Sequence, residues 1–270
     1  MNSGSVAVAQ QPVERIGHDR PLRLLSYNIQ AGITTRNYHN YITHSWKHLL
    51  PHSERMDNLA RVAQLASEFD IAGLQEVDSG SLRSGFINQT EYIAHRGHIP
   101  HWYDKTNRNL GKLAQHSIGM LSQIKPTHVS EHKLPGVIPG RGVLKVEFGG
   151  KDDPLVVIII HLALGKRARM RQLDFISELV SSYRHVILMG DLNCVSESEE
   201  IRMLSSKTDL HEPVHGLHTF PSWRPEKNID HILVSPTLKV CKIGVLKYPF
   251  SDHLPIAMEL RLPKGLYIDE

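Results

Sequence analysis

The sequence predicts an α/β fold made of two layers of β-sheet with helices outside them. Strand-length apolar runs recur along the chain, and several stop abruptly at polar residues. Stretches with helical i, i+3, i+4 spacing lie between those runs. The strand–helix order of the first half returns after Lys151, without readable repetition of sequence.

At 270 residues the chain can bury a large core. Forty per cent hydrophobic and 22% charged residues are ordinary for a soluble globular protein. A net charge of +3 and a pI near 8.8 suit a polyanionic partner. Histidine is abundant, at 18 residues, which favours catalysis without naming a site. Two cysteines, Cys194 and Cys241, in no paired motif argue against a zinc ribbon or a disulfide framework and fit a reducing compartment. Cys194 reads as a packing residue. Residues 1–18 lack the apolar core of a signal peptide and read as a loose arm, leaving 19–270 as one domain. No apolar run approaches the roughly 20 residues that span a bilayer, so a soluble, cytoplasmic protein is expected.

Leu22–Ile29 reads as the first strand, with Asn28 near its end, where β propensity disfavours it. Ala31–Pro51 is a loop containing Tyr41, Trp46, Leu49 and Leu50, suited to a substrate wall or a lipid-facing surface. Ser53 reads as the cap of a helix whose apolar face is Met56, Leu59, Ala60, Ala63 and Ala66. Ile71–Val77 is a buried strand containing Glu76, and burying a lone carboxylate is expensive, so Glu76 calls for an arginine or a metal. Asn88–Arg96 reads as a short helix, His101–Gln115 as a polar segment with Arg108 and Lys112, and His116–Ile124 as a strand. Arg141 lies between glycines ahead of another strand, either as a phosphate contact or as a solvated residue of a glycine hairpin.

Leu155–Ile160, the most β-branched run, predicts a central strand ending at His161. Lys166, Arg167, Arg169 and Arg171 then open a helix with Leu173, Ile176, Val180 and Tyr183 on its core face. Cations at a helix start oppose the helix dipole, which makes an anion contact a reading beside plain solvation. Val186–Gly190 is a strand ending in Asp191-Leu192-Asn193, and in a strand that continued Asp191 and Asn193 would point to one spot. Gly-Asp-x-Asn is also ordinary turn chemistry. Ser196 to Glu199 matches a capping box, Ile229–Val234 is a late strand containing Asp230, Ser251-Asp252-His253 sits in a tight polar loop, and Ile256–Leu262 closes the chain.

If the strands form two packed sheets, Asn28, Glu76, His161, Asp191, Asn193, Asp230, Asp252 and His253 can meet at one rim. Four carboxylates there would repel one another without a cation, and an oxygen-rich, cysteine-free set favours Mg²⁺ or Mn²⁺.

The segments Leu25-Ser26-Tyr27-Asn28-Ile29-Gln30, Leu74-Gln75-Glu76, Ile160-His161-Leu162, Gly190-Asp191-Leu192-Asn193, Ile229-Asp230-His231-Ile232-Leu233 and Ser251-Asp252-His253-Leu254-Pro255 stand in that order. In this the chain resembles the endonuclease/exonuclease/phosphatase (deoxyribonuclease I-like) superfamily over about residues 22–262. The resemblance implies a four-layer αββα sandwich, two packed mixed β-sheets flanked by helices, that hydrolyses phosphate esters with Mg²⁺ or Mn²⁺. It implies Glu76 as main metal ligand with Asn28 and Asp252, and Asp191 orienting or deprotonating water beside Asn193. It implies His253 at the phosphate, oriented by Asp230, and His161 beside the developing charge. Deoxyribonuclease I-like enzymes and sphingomyelinases have His at this position, whereas abasic-site endonucleases usually have Tyr with a later Asn, here matched by Leu164. Arg169 and Gln172 resemble the Arg-x-x-Gln that often follows this histidine, and Ile118 departs from the Asn that many members carry.

The expected activity is a phosphodiesterase, with nucleic acid the favoured substrate and with Arg141 and Arg169 as phosphate contacts. A phospholipid head group or a small phosphorylated molecule is the alternative. No protein partner is implied and a monomer is expected. A scaffold that lost its chemistry fits poorly, because every expected carboxylate and histidine is present.

Overall fold

Alternation along one strand decides the layering. In a computed structural model, described for residues 15–18, 20–30, 52–81, 84–109, 115–136 and 141–269, Leu155–His161 (β8) is buried on both faces. Leu155, Val157 and Ile159 point into one hydrophobic cluster, and Val156, Ile158 and Ile160 into another. A period of two puts successive side chains on opposite faces. The first cluster is the core between two sheets, while the second lies under helices.

The six-stranded sheet runs in the order Lys239–Val245 (β11), Ile256–Arg261 (β12), Leu22–Asn28 (β2), Ile71–Asp78 (β3), Gln115–Ser122 (β5) and His101–Asn109 (β4). The five-stranded sheet runs Asp230–Val234 (β10), His185–Asp191 (β9), β8, Gly142–Phe148 (β7) and His128–Lys133 (β6). Both sheets are mixed, since β2/β3 and β8/β9 are parallel and the other neighbours antiparallel. Helices His52–Ala66 (α1) and Gln89–Arg96 (α2) cover the outer face of the six-stranded sheet, with Leu59, Val62, Ala63, Ile93 and Ala94 in its outer cluster. Lys166–Val180 (α3) and Glu199–Lys207 (α4) cover the other, with Leu173, Ile176, Ile201 and Leu204 inward. The result is the expected αββα sandwich.

Several local expectations change. The polar segment 101–115 is largely strand: β4 pairs with β5, and an edge position tolerates its polar residues. Strands β6 and β11, with mostly half-exposed or exposed residues, carry no apolar run and were not legible. The capping box is displaced: Ser198, not Ser196, caps α4, its hydroxyl accepting from the Ile201 N–H. Helix α1 begins at His52, so Ser53 lies within it. The arm expected over residues 1–18 is structured at its end, since Arg15–Ile16 (β1) pairs with Ile268–Asp269 (β13) and Ile16 is fully buried. For the same reason β12 does not close the chain. Residues 1–14, Lys112 and the Tyr41/Trp46/Leu49/Leu50 loop lie outside the described residues, as does the Arg108 side chain. Cys194 is buried in the outer cluster of the five-stranded sheet, its thiol pushed up to about 11 chiefly by burial, as a packing residue requires. No described helix is long and apolar enough to cross a membrane.

Strand β10 is anchored by a buried ion pair next to the polar rim. His231 Nδ1 lies 3.0 Å from Glu212 Oε1 and Nε2 lies 2.8 Å from the Cys194 carbonyl, so both ring nitrogens face acceptors. Burial alone would lower the His231 pKa, but the Glu212 carboxylate and the Cys194 carbonyl raise it above its ordinary value. Glu212 is held low despite its burial, by His231 first and by Ser196 and His215 after it. A raised histidine stabilises the fold fully below its unfolded pKa and loses that contribution as pH rises through the folded value. A lowered carboxylate stabilises it above the unfolded pKa and loses that contribution as pH falls through the folded one. The pair is therefore strongest between the ordinary carboxylate range and the raised imidazole value. His231→Ala takes the largest partner from the buried Glu212 carboxylate, leaving Ser196 and His215, and should destabilise by about 3 kcal/mol. In urea unfolding the gap from wild type should narrow as pH rises through the folded His231 pKa, and a pH-independent gap would refute the charge assignment.

Candidate active site

Two ladders bring the polar residues of the five-stranded sheet into line. His161 pairs with Asp191 across β8/β9, and Asp191 with Asp230 across β9/β10. On the facing sheet Asn28 pairs with Gln75, one residue before Glu76. The Asn28 carboxamide then crosses between sheets and donates to Asp191 Oδ2 at 3.1 Å, joining residues 163 apart in sequence.

Glu76 owes its direction to a β-bulge. The β3/β5 register shifts between Gln75 and Val77, and Glu76 has φ 56°, in the left-handed region. A bulge inserts one unpaired residue and re-aims its side chain. A non-glycine residue held there stores strain of about 1–3 kcal/mol, a recurrent property of functional positions. The carboxylate remains 32% exposed while Asp191 and Asp230 are buried.

Asp191 is the hub. Its Oδ2 lies 3.4 Å from His161 Nε2 and 3.9 Å from His253 Nε2, while Oδ1 accepts from the Asn193 N–H at 2.9 Å. His161 Nε2 also lies 4.0 Å from Glu76 Oε1. Burial raises the Asp191 pKa and the Asp230 charge adds to this, against His253 and the Asn193 N–H. His253 Nδ1 lies 2.8 Å from Asp230 Oδ2, which the Thr219 hydroxyl also donates to. Burial by itself would lower the His253 imidazole, yet Asp230, Asp191 and Asp252 together lift it to about 10. Asp252 is pushed up to about 6, by burial first, with His253 opposing and the Glu76 charge adding. These are the marks of an acidic cluster that gains from a cation among its members.

Asn193 departs from expectation. The strand stops at Asp191, Asn193 turns to φ 53°, and its carboxamide donates to the Leu162 carbonyl at 3.0 Å. It joins the turns after β8 and β9 instead of extending Asp191's face of the strand. Arg169, expected at phosphate, is committed elsewhere: its guanidinium is bidentate on Glu200 Oε1 at 3.0 and 2.7 Å and also donates to the Leu164 carbonyl. Gln172 accepts from the Ala163 N–H at 2.9 Å. The Arg-x-x-Gln spacing thus braces the turn that follows His161. Arg141 stands just ahead of β7, whose Val143 pairs with Ile160, and so lies at the His161 end of that sheet. Ile118, where the resemblance led us to expect Asn, is buried in the core between the sheets.

The sequence reading missed three supporting residues. Thr219 is fully buried and orients Asp230, Ser251 donates to Asp252 and accepts from the His253 N–H, and the Phe220 ring lies 4.9 Å from the His253 ring. The only local signal was a run of turn formers around prolines.

A divalent cation suits this donor set. Asp191, Asp230 and His253 each offer an atom within 4.8 Å of the others. Asp230, however, holds His253 as an imidazolium, which leaves Glu76 and Asp252, close enough for the Glu76 charge to raise Asp252, as the open carboxylates for a cation. Oxygen donors dominate, as a hard cation requires.

A search of curated proteins gave no significant match. The fold is similar to an endonuclease/exonuclease/phosphatase from Beutenbergia cavernae, with 20% identity, TM-score 0.69 and coverage of 90% of this chain and 72% of that one. It is similar to the mannosyl-6-phosphatase of Bacteroides thetaiotaomicron, with 21% identity, TM-score 0.64 and coverage of 88% and 99%. The human Nocturnin catalytic domain, solved with bound sulfate, gives 17% identity, TM-score 0.65 and coverage of 95% and 99%. Members of the family that the sequence matches over residues 25–253 hydrolyse phosphate esters and typically use divalent metals. The chain belongs to the Endonuclease/Exonuclease/phosphatase family.

Proposed function

We propose that this protein is a Mg²⁺- or Mn²⁺-dependent phosphodiesterase. The observation that carries the reading is the meeting of Asn28, Glu76, His161, Asp191 and Asp230-bound His253 at one rim from two separate sheets. Glu76 and Asp252, with the Asn28 carboxamide oxygen, are the residues we assign to the cation. Once bound, the ion supplies Lewis-acid charge at a phosphoryl oxygen and offsets the repulsion among the carboxylates.

The side chains supply the rest. Asp191, fixed by Asn28 and the Asn193 N–H, accepts the proton of the attacking water as oxygen bonds to phosphorus. His253, kept cationic by Asp230 and steadied by Thr219, donates to a nonbridging phosphate oxygen. His161 stands opposite, beside the charge that builds as the ester P–O bond breaks. Arg141, at the His161 end of the sheet, remains the proposed phosphate contact.

Nucleic acid was the favoured substrate on sequence. Arg169 is paired with the buried Glu200, whereas Lys166 meets Glu199 at the surface and stays exposed.

The test is chelation followed by readdition of Mg²⁺ or Mn²⁺, with bis-p-nitrophenyl phosphate as substrate. Turnover should vanish and return, and Glu76→Gln should raise the half-saturating Mg²⁺ concentration by about tenfold or more. Turnover indifferent to chelation would refute the cation requirement, and an unchanged Mg²⁺ response in Glu76→Gln would refute that ligand.

A further inference from the structure

Tyr27 stands one residue before Asn28 on β2, and a period of two sends the two side chains to opposite faces of the sheet. Asn28 points inward and reaches Asp191. Tyr27 points outward into the cluster of Leu25, Ile29 and Leu59, where it is buried, yet it ends in a hydroxyl. A buried hydroxyl needs a partner. This one donates to the Tyr248 carbonyl at 3.1 Å, across 221 residues of sequence. Burial raises the Tyr27 phenol pKa above its ordinary value, against the Phe250 N–H, and the charges of Asp252 and Asp230 add to the rise. The phenol therefore stays a donor, close enough to the site to feel its carboxylates.

Tyr248 belongs to the connection that carries Asp252 and His253. Strand β11 ends at Val245 and β12 begins at Ile256, so residues 246–255 lie outside both. The leading half turns on short bonds of its own. The Tyr248 N–H donates to the Leu246 carbonyl at 2.9 Å and the Phe250 N–H to the Tyr248 carbonyl at 3.0 Å, while Pro249 has no N–H to give. The trailing half is gripped by the turn that also holds Asp230. There the Ser222 N–H donates to the Asp252 carbonyl at 2.7 Å, the Ser222 hydroxyl to the Ser251 carbonyl at 2.6 Å, and the Leu254 N–H to the Thr219 carbonyl at 2.9 Å.

The leading half is gripped from the six-stranded sheet and its helix. Beside the Tyr27 bond, the Tyr248 hydroxyl donates to the Arg61 carbonyl on α1 at 2.9 Å. The Arg61 guanidinium lies 4.9 Å from the centroid of the Phe250 ring, which meets the Tyr248 ring edge-on at 4.7 Å. Asp252 and His253 follow directly on this anchored stretch.

We propose that Tyr27 is a positioning residue for Asp252 and His253, its hydrogen bond to Tyr248 fixing their loop against β2. One strand end then sets both Asn28 against Asp191 and, through the loop, His253 against Asp230. The consequence for turnover rests on the phosphodiesterase reading, whereas the placement of His253 does not.

The test compares the full chain with Tyr27→Phe, which keeps the ring and loses one bond, and with Thr208→Val. Thr208 donates its hydroxyl to the Leu204 carbonyl at 2.9 Å and lies beside Val186, at the end of β9 remote from Asp191. The first measurement is the NMR signal of the His253 Nδ1–H that faces Asp230, assigned by its loss in His253→Ala, and its rate of exchange with water. The second is kcat and KM for bis-p-nitrophenyl phosphate. Tyr27→Phe should speed the exchange by about tenfold and lower kcat by about tenfold, with KM within about twofold of wild type. Thr208→Val should change neither. Unchanged exchange in Tyr27→Phe overturns the proposal, as does unchanged kcat in a protein that turns over the diester. So does a Thr208→Val variant that matches Tyr27→Phe in both measurements, since the effect would then be one of stability alone. Faster exchange in Tyr27→Phe, in a protein whose wild type cleaves no diester, would uphold the positioning and refute the phosphodiesterase reading.

Discussion

Asp191→Asn is expected to lower metal-dependent turnover of bis-p-nitrophenyl phosphate by about a thousandfold or more. The substitution keeps the shape but only one acceptor oxygen, so it can still accept the Asn193 N–H while the bond from Asn28 to Oδ2 is lost. It removes the negative charge that faces His161 at 3.4 Å and His253 at 3.9 Å, and with it the capacity to take a proton from water. Because the native carboxylate is buried beside Asp230, the neutral variant also escapes a like-charge repulsion, so a cooperative thermal transition should persist. Turnover within about tenfold of wild type would remove Asp191 from its assigned role. A thousandfold loss accompanied by a non-cooperative melt would point to misfolding instead of lost chemistry.

Gly190→Ala should be the most damaging of the small substitutions to stability, by about 4 kcal/mol or more. Gly190 has φ 145°, and a Cβ there would stand 2.0 Å from the Ile160 carbonyl oxygen. That oxygen belongs to the neighbouring strand, whose Ile160 is the ladder partner of Gly190, so the clash cannot be relieved by rotating a side chain. The close approach sets His161 and Asp191 side by side one residue later. A drop in urea midpoint with an unchanged slope would show a loss of stability in a structure that still unfolds as one unit. A melting temperature within about 4 °C of wild type would show that the strands can part at this point without penalty.

The two substitutions separate what a reader of sequence can see from what the packing imposes. Polar residues at the ends of apolar runs are a local signal, and Asn28, Glu76, His161, Asp191 and Asp230 stood out on that basis. Their neighbours Thr219 and Ser251 did not, because a buried hydroxyl that orients a carboxylate has no periodicity and no unusual composition. Arg169 is a related case. A cation near His161 reads as an anion contact, and only the folded chain shows that Glu200, 31 residues away, is its partner. Strands β4, β6 and β11 escaped notice because edge positions let both polar and apolar residues occupy them.

Sequence alone determined the sandwich, since β8 and its alternating partners have apolar side chains on both faces and must be covered on both. It also determined which strand ends carry carboxylates and imidazoles. Tertiary structure alone decided that Asn28 reaches Asp191, that His253 leans on Asp230, and that Glu76 turns toward His161 through a bulge. Face and strand length follow from local periodicity, whereas a contact between sheets depends on the register and spacing of every strand in between.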